Sequence, residues 1–320
     1  MKILIFVSLL FSFFFCQFSY SQNQGGMSDK RKAVKYIAEL KSHSSKEKIQ
    51  AAEELARLDD RGAVRPLIGL LEDKDFNVRQ TVAYALGELG DKQAAKPLLA
   101  RMEKENPNGK VIFIRALGKV GDSSVVDSLL PLLKHNNSSV VFETVQALGR
   151  FDDPVVSEAF LSSLKSQDEY GCMAIVNVLT NNRIKKAEKA FLDLTKDKRR
   201  PSCALVAVDG LGWVGGEEAV GALIMILKKN DSSSFKNRAL RSLGRLRARE
   251  AFDAIHPFLR HKEAVIRRSA VEALVGLGDH RAIPMIKGLQ GDPSPEVQKT
   301  VQYALRQFGV KQESSIQKDE

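Results

Sequence analysis

Ala85-Leu86-Gly87-Glu88-Leu89-Gly90-Asp91 returns as Ala116-Leu117-Gly118-Lys119-Val120-Gly121-Asp122, and again as Ala147-Leu148-Gly149-Arg150-Phe151-Asp152-Asp153. Looser copies follow in Gly210-Leu211-Gly212-Trp213-Val214-Gly215-Gly216, Ser242-Leu243-Gly244-Arg245-Leu246 and Ala273-Leu274-Val275-Gly276-Leu277-Gly278-Asp279. With the first leucine of each copy as anchor, Leu55, Leu86, Leu117, Leu148, Leu179, Leu211, Leu243, Leu274 and Leu305 succeed one another every 31 residues, with two steps of 32. A fixed period of this size marks a repeat architecture, in which each unit buries its apolar face only against its neighbours.

Each unit reads as two helices. Apolar residues stand three before, at and three after the anchor, as in Ala83/Leu86/Leu89 and Val271/Leu274/Leu277, which is helical spacing. A Gly or Asp usually follows, at Gly90, Gly121, Asp152, Gly215, Gly278 and Gly309, and glycine supplies the left-handed turn that ends a helix. Twelve residues past the anchor the position is never polar: Leu67, Leu98, Leu129, Phe160, Phe191, Leu223, Ile255 and Ile286. Eight past it stands a small aliphatic residue such as Ala63, Ala94, Val125, Ala219 or Ala282, which lets helices approach to about 8–10 Å between axes. Pro66 and Pro97 fall early in their second helices, where a missing amide donor costs least.

Outside the repeats the chain changes character. Residues Met1–Ser21 read as an export signal: Lys2, then an apolar run over Ile3–Phe15, then small residues Ser19 and Ser21 before Gln22. The run is shorter than the roughly 20 residues of a membrane span. An uncleaved anchor and lipidation of Cys16 are the competing readings, the second weakened by Phe15 where a small residue is normal. Gln22–Ser28 and residues 310–320 are polar and read as a linker and a disordered tail. That leaves residues 29–309 for eight helix pairs, a capping helix over Asp29–Lys41 and a lone terminal helix over Pro295–Phe308.

The run Val78-Arg79-x-x-Val82-Ala83-x-Ala85-Leu86-Gly87-x-Leu89-Gly90-Asp91, with Ala94 and Leu98, resembles the short HEAT-like repeats named after phycobilisome lyases. The resemblance spans nearly all of the chain after residue 21. It implies an all-α, right-handed α-α superhelix whose concave face is lined by second helices. The fifth unit departs most: Val178-Leu179-Thr180-Asn181-Asn182-Arg183 lacks the glycines and puts Asn182 at an apolar position, which could mark a bend.

Some proteins of this resemblance are enzymes or handle cofactors. Di-iron hydroxylases of this architecture imply paired His-Glu steps on repeated helices, yet none of His43, His135, His256, His261 and His280 is followed by Glu. His135 and His261 hold equivalent positions four repeats apart, too far to share a metal. The sequence has no Gly-x-Ser-x-Gly elbow and no Gly-x-x-x-x-Gly-Lys loop, and its repeated glycines read as helix punctuation. No catalytic residue, metal or cofactor is expected. Cys172 and Cys203 begin the first helices of consecutive units; a disulfide needs Cα atoms about 4.4–6.8 Å apart, closer than stacked axes, so two buried thiols are the favoured reading.

What remains is a binding surface. Apolar residues make up 43% and charged residues 28%, enough for a core and too polar for a multi-span membrane protein. The net charge of +10 favours acidic partners. Seventeen past the anchor, Lys134, Lys165, Lys196, Lys228 and Arg260 make a ladder near the ends of the second helices, although the helix dipole alone favours cations there. Between Ser234 and Arg268 ten Lys or Arg face three Asp or Glu, with Arg238, Arg241 and Arg245 on one face of a first helix and Trp213, the single Trp, one unit earlier. Arg and Trp are favoured at interaction hot spots. The expectation is an exported, noncatalytic scaffold, periplasmic, envelope-associated or secreted, that binds an acidic or extended protein or an anionic envelope component along its concave or basic face. No specific nucleic acid is expected as partner, and no transmembrane span after signal cleavage. The alternative is an enzyme or cofactor-handling protein of the bilin-lyase kind.

Overall fold

The computed structural model describes residues 29–310. The proposed signal, Cys16, the linker and residues 311–320 of the tail lie outside the described residues. Every regular element among the described residues is helical. They form two compact units that meet in sequence between Asp152 and Asp153.

The first unit contains α1 (29–39), α2 (Ser45–Arg57), α3 (Val64–Gly69), α4 (Phe76–Leu89), α5 (Ala95–Lys104), α6 (Pro107–Val120), α7 (Val126–Leu129) and α8 (Ser138–Leu148). The long first helices stack in order, α2 on α4, α4 on α6 and α6 on α8. Side-chain oxygens set their starts: Ser44, Asp75, Asn106 and Asn137 each accept from an amide of the first turn. Asp60, Asp91 and Asp122, five past their anchors, do the same for the short 3₁₀ turns that open the second helices.

The second unit contains α9 (Pro154–Ser163), α10 (Glu169–Asn181), α11 (Glu188–Leu194), α12 (Pro201–Val214), α13 (Glu217–Lys229), α14 (Ser233–Leu246), α15 (Phe252–Ile255), α16 (Ala264–Leu277), α17 (Ala282–Lys287) and α18 (Pro295–Gln307). Its first helices stack as α10 on α12, α12 on α14, α14 on α16 and α16 on α18. Within this unit, α10 of the irregular fifth repeat stacks on α12 as the other first helices stack on their successors.

The repeat register and the core coincide. All nine anchor leucines and all eight residues twelve past an anchor are buried. Second helices are less regular than the periodicity predicts. Pro131 and Pro257 remove amide donors inside two of them, so a short α segment gives way to the 3₁₀ turns Leu130–Lys134 and His256–Arg260.

Glycine plays two roles, and only one of them is punctuation. Four past the anchor, Gly90, Gly121, Gly278 and Gly309 take positive φ, and so do Asp59, Arg183 and Arg247, which carry a side chain there. Gly215, expected to do the same, ends its helix in extended backbone at φ −73°. One past the anchor, glycine serves close packing instead. A Cβ on Gly118 would stand 2.7 Å from the Ala147 Cα, and one on Gly212 would stand 2.8 Å from the Ser242 Cα.

Cys172 and Cys203 are bonded, with Cα atoms 5.9 Å apart, so the expectation of two free thiols is corrected. Axis spacing misled it: residues on the facing sides of two stacked helices approach far more closely than the axes.

Candidate functional interface

The ladder cations lie where their register places them. Lys134 in the first unit, and Lys165, Lys196, Lys228 and Arg260 in the second, are all exposed at or just past the ends of second helices. Among the described residues none of the five finds a carboxylate partner. Charge at this register is not idle everywhere: Glu72, its member in the first repeat, accepts from Arg101 and Lys104 at 2.8 Å each.

Two grooves run beside the second-unit rungs. One of about 380 Å³ is lined by Leu161, Lys165, Ala190, Leu194, Lys196 and Arg200. The other, about 590 Å³, lies between the second helices of two successive repeats and is lined by His256, Pro257, Arg260, Pro284, Met285 and Leu289. A first-unit groove of about 350 Å³ also carries cations, Arg115 and Lys119, but these are already tied to Glu143 and Glu88.

Arg200 shows how the floor beside Lys196 is held. Its guanidinium donates to the Leu164 and Gln167 carbonyls at 2.7 and 3.1 Å and to Asp197 at 2.8 Å. The hydrogen bond from Arg200, then the Arg199 backbone N–H, hold the Asp197 carboxyl down at about 2.

The second basic cluster is built on first helices. Arg238 and Arg245 of α14 both donate to Asp209 of α12, Arg245 at 3.4 Å, while Arg241 is exposed and, among the described residues, lacks a carboxylate partner. The three arginines are therefore not the uniform free face their spacing predicts. Trp213, 38% exposed near the end of α12, has the Arg183 guanidinium 4.0 Å and the Arg245 guanidinium 4.9 Å from its ring centroid. Both are within cation–π range. Burial, then the charges of Arg241 and Arg245, push Arg238 below the ordinary guanidinium value, and burial and Arg241 do the same to Arg245. A guanidinium stays charged regardless, so these shifts register burial first and neighbouring like charge second.

Sequence reading missed Arg183 and Asp209. The signal for Arg183 was its register: it stands four past the anchor, where glycine ends a neighbouring helix. The local aspartates are missing as well. Five past the anchor, where Asp60, Asp91, Asp122, Asp153 and Asp279 cap second helices, the fifth to seventh repeats carry Ile184, Gly216 and Ala248. The Gly216 N–H donates instead to Glu188 at 2.7 Å.

Two of the histidines have local hydrogen-bond partners. His135 Nδ1 accepts the Asn137 N–H at 3.0 Å, and His261 Nδ1 the Glu263 N–H at 3.1 Å, so the two equivalent residues close the same kind of turn. Among the described residues no three His, Cys, Asp or Glu side chains converge as metal ligands, and no helix is long and apolar enough to cross a membrane.

Comparison with known proteins agrees with the repeat register. A family model described as HEAT repeats matches residues 34–109, 95–174 and 220–306. Deoxyhypusine hydroxylase of Rattus norvegicus is 26% identical over 133 residues, which are 41% of this chain and 43% of that protein, so the match spans less than half of the relative's length. Among solved structures, importin beta superposes with a TM-score of 0.62 at 13% identity, over 85% of this chain and 44% of that one. Kap121p bound to Pho4p gives 0.55 at 14% identity, over 85% and 37%. At such identities the likeness concerns the fold alone.

Proposed function

The chain belongs to the HEAT-repeat family, and from that premise we propose that it is a noncatalytic scaffold that holds an extended acidic polypeptide along the second-helix ends of its second unit. The observation that carries the reading is the set Lys165, Lys196, Lys228 and Arg260: one register position, four successive repeats, every side chain exposed and none paired with a carboxylate among the described residues. Repeats stack at about 8–10 Å between helix axes. A polyproline II segment brings every third side chain to the same side after about 9.3 Å, so a glutamate at every third position matches the rungs. The flanking grooves offer the intervening residues apolar side chains, among them Leu161, Ala190, Pro257 and Met285.

The test uses a fluorescein-labelled peptide of four Glu-Pro-Pro triplets, followed by anisotropy against the full chain. Saturable binding should weaken at least tenfold when Lys165, Lys196, Lys228 and Arg260 are all changed to Glu, and should fall as salt is raised. Binding indifferent to the fourfold reversal would sink the ladder as the docking track.

Export to the periplasm or envelope belongs to the same proposal. Residues Met1–Ser21 support it, and so does the Cys172–Cys203 bond, since disulfides persist in oxidising compartments. Amino-terminal sequencing of the protein recovered from fractionated cells should begin at Gln22, and an intact Met1 would overturn cleavage.

A cofactor-handling reading draws on the stretch shared with deoxyhypusine hydroxylase. Against it stands the absence of a His-Glu step anywhere in the sequence. Stoichiometric metal or pigment in the purified protein would reverse the preference.

A further inference from the structure

We propose that Arg183, Trp213, Arg241 and Arg245 form a second anion-recognition site, on the first-helix side of the second unit, whose ligand is a pair of adjacent carboxylates on an acidic peptide segment. It rests on the acidic-partner reading and is separable from it, because the ladder residues stand on other helices.

Three observations converge on this cluster. The first is charge without compensation. Arg183, Arg238, Arg241 and Arg245 gather around α12 and α14 with Asp209 as their carboxylate, and Asp209 is taken by Arg238 and Arg245. Arg183 and Arg241 have no carboxylate partner among the described residues. Burial first and neighbouring guanidiniums second disfavour the charge on Arg238 and Arg245, and an incoming anion offsets the second of these.

The second is departure from the repeat pattern in this place. Arg183 stands at φ +56°, a conformation that costs a side-chain-bearing residue and that glycine adopts freely in the equivalent position of other repeats. The aspartates of this register are replaced by Ile184 and Ala248 in the fifth and seventh repeats, while at Gly216 of the sixth Glu188 accepts in their stead. The strained arginine is the one stacked most closely on Trp213.

The third is geometry. Asp209 of α12 demonstrates that one carboxylate can accept from both Arg238 and Arg245 of α14. Stacking on the indole restrains the Arg183 and Arg245 guanidinium planes, which reduces the entropy lost when their N–H groups close on a second carboxylate. A half-exposed Trp bracketed by arginines is the composition of an interaction hot spot.

Trp213 is the single tryptophan of the chain, so its emission reports directly on the site. The full chain is titrated with labelled hexaglutamate at constant ionic strength, following tryptophan emission and peptide anisotropy together. A saturable change in emission is expected, with the dissociation constant raised about tenfold by Arg241→Gln, the loss of one charge-assisted hydrogen-bonded pair. Arg183→Gly should weaken it similarly while circular dichroism stays unchanged, since glycine suits the backbone there. Changing Lys165, Lys196, Lys228 and Arg260 to Gln should leave the emission response in place.

Peptide binding seen by anisotropy with emission unmoved overturns this site and leaves the ladder standing. An emission response lost with the ladder residues overturns it as a separate site. A response to pyrophosphate and not to hexaglutamate overturns the carboxylate assignment. A response reproduced by sodium chloride alone reduces the cluster to screening, and absence of binding by both readouts overturns this site and the acidic-partner reading together.

Discussion

Cys172 is bonded to Cys203 at a place where other repeats use charge. Cys172 stands seven residues before its anchor, as do Lys48, Arg79 and Arg267. Lys48 reaches Asp73 at 2.7 Å; Arg79 reaches Glu105 at 2.7 Å and the Asp73 carbonyl at 2.8 Å; Arg267 reaches Asp292 at 2.7 Å and the His261 carbonyl at 2.8 Å. Each of these contacts clamps the start of a first helix to its surroundings. In the fifth repeat a covalent bond from α10 to α12 stands at that register position.

The bond closes a sequence separation of 31 residues, for which chain entropy gives a stabilisation of about 3–4 kcal/mol. Urea unfolding of the Cys172→Ser, Cys203→Ser double variant should show a loss on the order of 3 kcal/mol. A reductant should then destabilise the wild type and leave the variant unmoved. Equal midpoints for the two proteins under oxidising conditions would contradict the bond.

Gly118 faces the backbone of Ala147 across α6 and α8. Gly118→Ala places a methyl 2.7 Å from the Ala147 Cα, and the helices must separate to admit it. A loss of about 1–3 kcal/mol is expected, the usual cost of overpacking. Gly69→Ala is the control, since a Cβ there meets nothing within 4 Å. Thermal melts should show the first variant lowered and the second unchanged or raised.

Arg247 holds φ +54° at a helix end, with no counterion among the described residues to compensate. Arg247→Gly should raise stability by about 0.5–1 kcal/mol through relief of the left-handed backbone. Arg183→Gly should gain less, because it also gives up stacking on Trp213 worth about 0.5–1 kcal/mol. Denaturant midpoints for the two variants test the difference, and an equal gain would mean that the stacking adds nothing.

Asp197 provides an acid-sensitive tie. Its carboxyl is held at about 2, chiefly by the hydrogen bond from Arg200, against an ordinary 3.8. A depressed native value means that the unfolded chain binds protons first as pH falls. The stability it contributes is therefore complete above pH 3.8 and is lost as pH falls through about 2. Asp197→Asn should be less stable at neutral pH and should lose less stability between those limits. Unfolding midpoints across that range decide it, and parallel curves for the two proteins would remove Asp197 from the acid response.

The anchors were legible because a helix repeats every 3.6 residues and a stack repeats every 31. Leu86 and Leu98, like Leu274 and Ile286, needed nothing but spacing to be assigned to the core, and all four are buried. The helix ends were legible where Gly90 or Gly121 supplied the turn, and illegible where Arg183 and Arg247 adopted the same conformation despite their side chains. The glycines beside the anchors read as punctuation because a close approach is made with a residue of the next repeat, here Ala116 for Gly87 and Ala147 for Gly118.

The sequence by itself determined the all-helical repeat, its register, its buried positions and the placing of one exposed cation at the end of each second helix from Lys134 to Arg260. Those properties depend on periodicity along one chain segment. Tertiary structure alone decided that Cys172 meets Cys203, that Asp209 occupies Arg238 and Arg245, and that Arg183 lies over Trp213. Each of these depends on how one helix is rotated and offset against the next, to within an ångström or two. Hydrophobic spacing tolerates several such offsets, whereas a disulfide, a shared carboxylate and a stacked guanidinium each require one.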